Sequence, residues 1–450
     1  MSSNRLSKLS VREKFGYGLG DAGFNLYWTT IASFIAAFYT DVFGISAAAA
    51  GTMLFTTKII DAFTDPFMGA VADRTQTKYG KFRPYLLWGS LPLAGAAILT
   101  FTTPDLTNNG KLIWAYLTYT AMMLCYTIIS TPYSALSGVM TANSQERTSL
   151  ISIRFVFAFT CGALVNKFTL PLVNNLGQGN DELGWQLTMG LYGLCAIIIF
   201  ALCFAATKER IAPPVKQKTN PVDDIKDLIK NRPWVILFVL AMIIMMTITM
   251  RAGSAYYYFT YYVDRPDLIS SYLFWQMLAY AVGACCAPFL TRFIEKTQLL
   301  MILMGIVGTL SVVFFFIPKD WIWAMFTLSI LISLALGPKS PLTWSMYADT
   351  ADYNEWKTGR RATAMTFSAA TFSQKLGGAL GSAIMLWLLA AIGYVAKEAQ
   401  EGASLFGINL LQTAIPGAFA LIAVVVVRFY TLTGSQLEKI QNELSIKDVD

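Results

Sequence analysis

Apolar residues along this chain arrive in runs long enough to cross a bilayer, and the polar residues gather between them. A crossing helix needs about 20 apolar residues. Twelve runs qualify, near 16–42, 46–72, 84–104, 112–138, 150–175, 185–207, 233–263, 268–291, 297–317, 321–349, 362–393 and 404–431. The alternation of a barrel strand is absent, so the runs predict helices, which satisfy their own backbone groups within each segment. Lys and Arg crowd alternate connections: Arg5 to Lys14, Arg74 to Arg83, Lys208 to Arg232, and Lys357 to Arg361. The other connections hold about one each, such as Lys111, Lys319 and Lys397, so both termini are expected on the cytoplasmic side. The longest polar stretch, with Pro213, Pro214 and Pro221, divides six runs from six. The pattern therefore predicts an all-α membrane protein of twelve transmembrane helices. An N-terminal half spans 1–207, a central cytoplasmic loop 208–232, a C-terminal half 233–434 and a cytoplasmic tail 435–450, helical in its spacing.

Composition agrees with the pattern. Of 450 residues, 55% are hydrophobic and 14% charged, against about 25% charged in a soluble domain. The net charge of +7 sits in short connections rather than in a nucleic-acid footprint. The six cysteines all fall inside apolar runs and read as packing residues. There is no histidine, which excludes imidazole metal centres and histidine proton relays. No cleavable leader is evident at the start, so the first run is expected to remain as a helix. No nucleophile constellation or nucleotide-binding loop argues for an enzyme.

Charged residues inside the runs carry the candidate chemistry. Asp61 and Asp65 are four apart and share one helix face. A carboxylate at mid-bilayer costs roughly 2.5–3.5 kcal/mol even on the lenient insertion scale. Two on one face need a reason, and a shared monovalent cation supplies one; a salt bridge to a basic residue of the second half is the alternative. Asp21, Asn25 and Trp28 form another face on the first run. Arg154, Arg251, Lys339 and Lys375 are basic residues within runs, each expected to face protein or water rather than lipid.

Two sets of residues carry a family resemblance. Gly69-Ala-Val-Ala-Asp73-Arg74, followed by Gly80-Lys81-Phe82-Arg83-Pro84, resembles the loop signature of major facilitators, as does the six-plus-six layout. Asp61-Ala-Phe-Thr-Asp65-Pro66, with Tyr39-Thr-Asp41, Tyr126-Thr127, Asp349-Thr-Ala-Asp352-Tyr353 and Glu355-Trp356, resembles the glycoside–pentoside–hexuronide:cation symporters, the family of the melibiose permease. The resemblance covers about residues 12 to 440. It implies Asp61, Asp65 and Thr127 as cation ligands, with Thr64 where the melibiose permease has asparagine. It places Arg154, Thr371 and Lys375 in the sugar and cation region, and Tyr126 and Trp344 among recurring aromatics. Arg251 resembles an arginine of the xyloside-type branch, and Lys339 has no family equivalent. Asn25, Ser130 and Ser134 replace two acids and a tryptophan of the melibiose permease, which argues against galactoside recognition. Asp21 follows glycine as in the hexuronide-like branches. Asp73 and Arg74, and Asp349 and Asp352 beside Arg360 and Arg361, are expected to gate the cytoplasmic side.

The expected function is symport of a glycoside with Na+ or H+ by alternating access, without any cofactor. An acidic sugar or oligouronide suits the basic residues. A neutral pentoside, or an uncoupled carrier or exchanger of anionic saccharides, is the alternative. The expected setting is a monomer in the bacterial inner membrane, with a saccharide, a monovalent cation and the bilayer as its partners, and no nucleic acid.

Overall fold

The computed structural model describes residues 9–141, 144–210, 226, 228–358, 363–432 and 434–447. Every apolar run is helical. The helices are α1 (Val11–Ala37), α2 (Ala47–Arg74), α3 (Pro84–Trp88), α4 (Ser90–Thr100), α5 (Asn108–Met140), α6 (Ser144–Gly177) and α7 (Asp181–Ala206). They continue as α8 (Arg232–Tyr257), α9 (Ile269–Leu290), α10 (Lys296–Phe315), α11 (Ile322–Leu336), α12 (Lys339–Thr358), α13 (Thr363–Ala391), α14 (Gly402–Gln412), α15 (Ala414–Val427) and α16 (Gly434–Lys447). Among the described residues nine helices are long and apolar enough to cross a membrane. Neither α1 nor α2 is among them, because α1 is diluted by glycine, threonine and tyrosine, and α2 carries Lys58, Asp61 and Asp65.

Local chemistry explains the boundaries. The first helix begins at Val11, ahead of its apolar run, because Ser10 and Glu13 form a capping box. The break between α11 and α12 falls at Gly337-Pro338, where proline has no amide proton to donate. The first helix of each sequence half ends in a five-residue π turn, Phe38–Val42 and Tyr258–Tyr262, each crowded with aromatic rings.

The chain forms two compact units. The first comprises Met1–Val215, Arg265–Phe274 and Leu386–Glu401; the second comprises Lys216–Asp264, Trp275–Met385 and Gly402–Asp450. In the first, α1 packs against α6 and α7, and α5 against α2 and α4. Lipid tails give no hydrophobic drive between helices, so close fit and interhelical hydrogen bonds hold them. Ser33 donates to Asn166 at 2.9 Å, a buried link from α1 to α6. In the second unit α15 packs on α8 and α10. There α13 runs so close to α8 that a Cβ at Gly377 would strike the backbone of Met242. Gly377→Leu is therefore expected to lower the yield of folded protein sharply, read as the monodisperse fraction after detergent extraction.

The connection after α2 is held by a residue from beyond α7. Glu209 accepts from the backbone amides of Lys81, Phe82 and Arg83 at 2.8, 2.8 and 3.0 Å. Gly80, with a φ of 114°, lies against that carboxylate, where a side chain has neither the conformation nor the space. Arg83 reaches the Phe204 carbonyl, and Arg210 pairs with Glu13 at 2.6 Å. Glu209→Ala leaves three donors without their anion and is expected to cost about 1–3 kcal/mol. A thermal-unfolding midpoint equal to the parent's would contradict this assignment.

Candidate functional site

The two carboxylates of α2 turn inward. Asp61 is 3% exposed, whereas Phe63 and Phe67 on the opposite face are 74% and 72% exposed. An apolar surface thus covers one side of the helix and charge the other, as a lipid-facing helix with an ion-handling interior requires. Thr127 of α5 brings the carboxylates to a common point. Its hydroxyl lies 2.7 Å from Asp61 Oδ1 and 3.2 Å from Asp65 Oδ1. A hydroxyl has one proton, so Thr127 donates to one of the two at a time. Thr64 donates instead to the Asp61 carbonyl at 2.8 Å and does not bond either carboxylate through its proton.

This donor set is all oxygen: two carboxylates and threonine hydroxyls. It fits a hard monovalent ion or a proton as cargo. Among the described residues no group of three or more Cys, Asp or Glu gathers as a resident metal centre does.

A second charged pair lies across α1 and α6. Arg154 Nε donates to Asp21 Oδ1 at 3.0 Å, and the guanidinium sits 5.1 Å from the centre of the Tyr133 ring. Tyr133 stacks on Tyr17 at 4.6 Å, and each hydroxyl donates to the other's backbone carbonyl. The rings therefore form a fixed plate behind the arginine. Asn25 is committed locally: its Nδ2 donates to the Asp21 carbonyl and its Oδ1 accepts from Thr29. Ser130 is half-buried on α5, one turn beyond Tyr126.

Aromatic rings bridge the two pairs. Tyr126, adjacent to Thr127, lies 5.2 Å from Phe24 and 6.3 Å from Trp28. Lys58 Nζ stands 4.7 Å over the Trp28 ring. Sequence reasoning missed Lys58, although its signal is plain. It lies three residues before Asp61 and seven before Asp65, on the same helical face within an apolar run. Lys167 of α6 was missed as well; it donates to Ser271 at 2.9 Å.

The second unit holds the remaining candidates in separate places. Trp344 of α12 stacks on Phe367 of α13 at 5.7 Å. On α13, Thr371 is exposed and gives its proton to the Phe367 carbonyl, and Lys375 follows one turn later on that face. Lys339 is 5% exposed and points its ammonium at Met245 Sδ, 3.8 Å away. Arg251 is 1% exposed and donates to the Ser311 hydroxyl at 3.3 Å and the Gln412 carbonyl at 3.5 Å. These bonds run from α8 to α10 and α14.

Of the expected gating residues, Asp349 pairs with Lys296 at 2.8 Å, an ion pair between α12 and α10. Asp352 is half-buried and Arg74 exposed. The side chain of Asp73, and Arg360 and Arg361, lie outside the described residues.

Comparison with known proteins gives the context for this geometry. Residues 16–434 match the family described as MFS/sugar transport protein. The inner membrane symporter YicJ of Escherichia coli is 37% identical, with 97% of this chain and 95% of that protein covered. The isoprimeverose transporter of Lactiplantibacillus pentosus is 35% identical, with 90% and 85% covered. In fold, the chain is similar to the nucleoside transporter NupG, at a TM-score of 0.68 and 11% identity, covering 94% of this chain and 99% of that one.

Proposed function

From the premise that this chain belongs to the sugar-transport family of the major facilitators, in its glycoside–pentoside–hexuronide:cation branch, we propose that it imports a neutral, pentoside-type glycoside together with a monovalent cation. It is a multi-pass membrane transporter and not an enzyme. The observation that carries the proposal is the convergence of Asp61 and Asp65 on Thr127. Two carboxylates converging on one hydroxyl gain from a cation held between them, because its charge offsets the cost of keeping both ionised away from water. Loading that cation removes repulsion and steadies α2 against α5. Through Thr127 and Tyr126, on consecutive positions of α5, it also steadies the aromatic wall of Phe24 and Trp28.

The pairing of Arg154 with Asp21 favours a neutral solute over the acidic sugar that the basic residues alone suggest. A cation already balanced by an acid contributes little net charge to a carboxylated ligand. Asp21, Asn25, Tyr126, Ser130 and Arg154 then offer hydrogen bonds and a ring face. A uronide remains the second reading, favoured by one observation. Arg154 engages Asp21 through Nε, and its side chain stays 29% exposed. The protein acts as a monomer in the inner membrane, with both termini cytoplasmic.

Competition against the uptake of radiolabelled isoprimeverose decides between the readings. Methyl β-xyloside is expected to compete and methyl β-glucuronide is not. Competition by the glucuronide alone would reverse the assignment.

A further inference from the structure

Within the first unit, away from the charged pairs, lies a cavity of about 680 Å³. That volume is within the range of small-ligand pockets, roughly 300–1,000 Å³. It is formed where α1 passes into α2, at the first turn of α5, and by the segment after α13. Asn108 and Asn109 carry exposed side-chain amides at its rim, with Ser46 beside them. Ile45, Leu112 and Val395 supply apolar wall, and Tyr394 supplies a phenol. No acidic or basic side chain lines it.

We propose that this cavity is a second saccharide site, distinct from the solute site above, which takes a neutral, hydroxyl-rich ligand of one or two sugar rings. Amides and hydroxyls each donate and accept, which is what a ring of C–OH groups requires. The apolar patches suit the C–H faces of a pyranose. The Lys111 ammonium beside Gly44 at the cavity's edge donates to the Phe43 carbonyl at 3.1 Å, and Asp41 behind Tyr394 accepts that tyrosine's proton, so both nearby charges are engaged within the protein.

The cavity exists only while the segment after α13 is docked. Tyr394 gives its hydroxyl proton to the buried Asp41, and Thr40 bonds the same carboxylate at 2.6 Å. Trp387, in the last turns of α13, donates to Thr52 of α2 at 3.1 Å and meets Phe55 edge-on. A saccharide bound between Tyr394 and Asn109 therefore stabilises the docked arrangement over any in which the segment lifts away. Excess solute on that side of the membrane then slows turnover.

Protection of Val395→Cys from a neutral maleimide tests the site, in the purified full-length chain in nanodiscs, with the unsubstituted chain as blank. Position 395 is 49% exposed and supplies only apolar wall, so the variant folds as the parent does and keeps every polar group of the cavity. The probes are xylose, methyl β-xyloside and isoprimeverose, with glucuronate as the charged control. Labelling is expected to slow to about half when a neutral probe equals its dissociation constant, to ignore glucuronate, and to keep this protection in a Tyr126→Ala background. Protection by none of the neutral probes overturns the site. So does protection that vanishes with Tyr126→Ala, which would mark a movement relayed from the solute site. The readout needs no ion gradient, so its failure leaves the proposed symport standing, and failure of coupling leaves the cavity site standing.

Discussion

Asp61→Asn and Asp65→Asn are each expected to abolish gradient-driven accumulation of the glycoside while solute exchange across the membrane persists. Asparagine keeps the shape of the side chain and one oxygen acceptor, so Thr127 can still bond it. What it removes is the negative charge that makes a cation worth holding in a low-dielectric interior. Coupling between two bound species is typically a factor of roughly 5–150 in affinity, and the variants forfeit that factor. Counterflow of labelled solute in proteoliposomes, with no gradient imposed, is expected to retain a measurable rate. Accumulation at the parent's level in either variant would remove these carboxylates from the coupling step.

Asp21→Asn carries the second large effect, a switch in solute preference. In the parent the Arg154 guanidinium is balanced by Asp21 and backed by the Tyr133 ring. Removing the acid leaves a cation without its balancing charge beside the solute contacts, and a carboxylated sugar becomes its natural counter-ion. Methyl β-glucuronide is expected to gain affinity relative to methyl β-xyloside by tenfold or more, about 1.4 kcal/mol. The opposite truncation, Arg154→Ala, strands a buried carboxylate and is expected to destabilise the protein by about 3–5 kcal/mol. The double variant Asp21→Asn, Arg154→Gln removes both charges and is expected to recover most of that stability. Thermal unfolding in detergent reads both. An unchanged sugar preference in Asp21→Asn would show that Arg154 does not face the solute.

The fold was legible in the sequence because bilayer thickness sets a length scale that no soluble helix has to meet. Each apolar run is helical, and the exceptions to apolarity on α2 mark the carboxylate pair. Spacing alone also placed Asp61 and Asp65 on one face, where Asp61 is buried and Asp65 half-buried. What spacing could not supply was the partner across helices. Nothing in the sequence joins Asp21 to Arg154 at a separation of 133 residues, or Glu209 to the amides of Lys81 to Arg83. Those bonds depend on how helices pack, and the first of them is the ground for proposing a neutral solute over an acidic one. Lys58 is a different case. The face rule that found Asp61 applies equally to a residue three positions earlier, and it was simply not carried back along the helix. Arg251 is a further case, a basic residue in an apolar run that is buried and met by a hydroxyl and a carbonyl oxygen of neighbouring helices.

Calorimetric titration of the best-transported neutral glycoside into the purified chain, over a sodium series at fixed pH and a pH series at fixed sodium, puts the coupling itself on the instrument. Solute affinity is expected to rise with one of the two cations by a factor within the range above, and the rise is expected to disappear in Asp61→Asn. An affinity indifferent to both ions in the parent, or a rise that survives undiminished in the variant, would contradict the account.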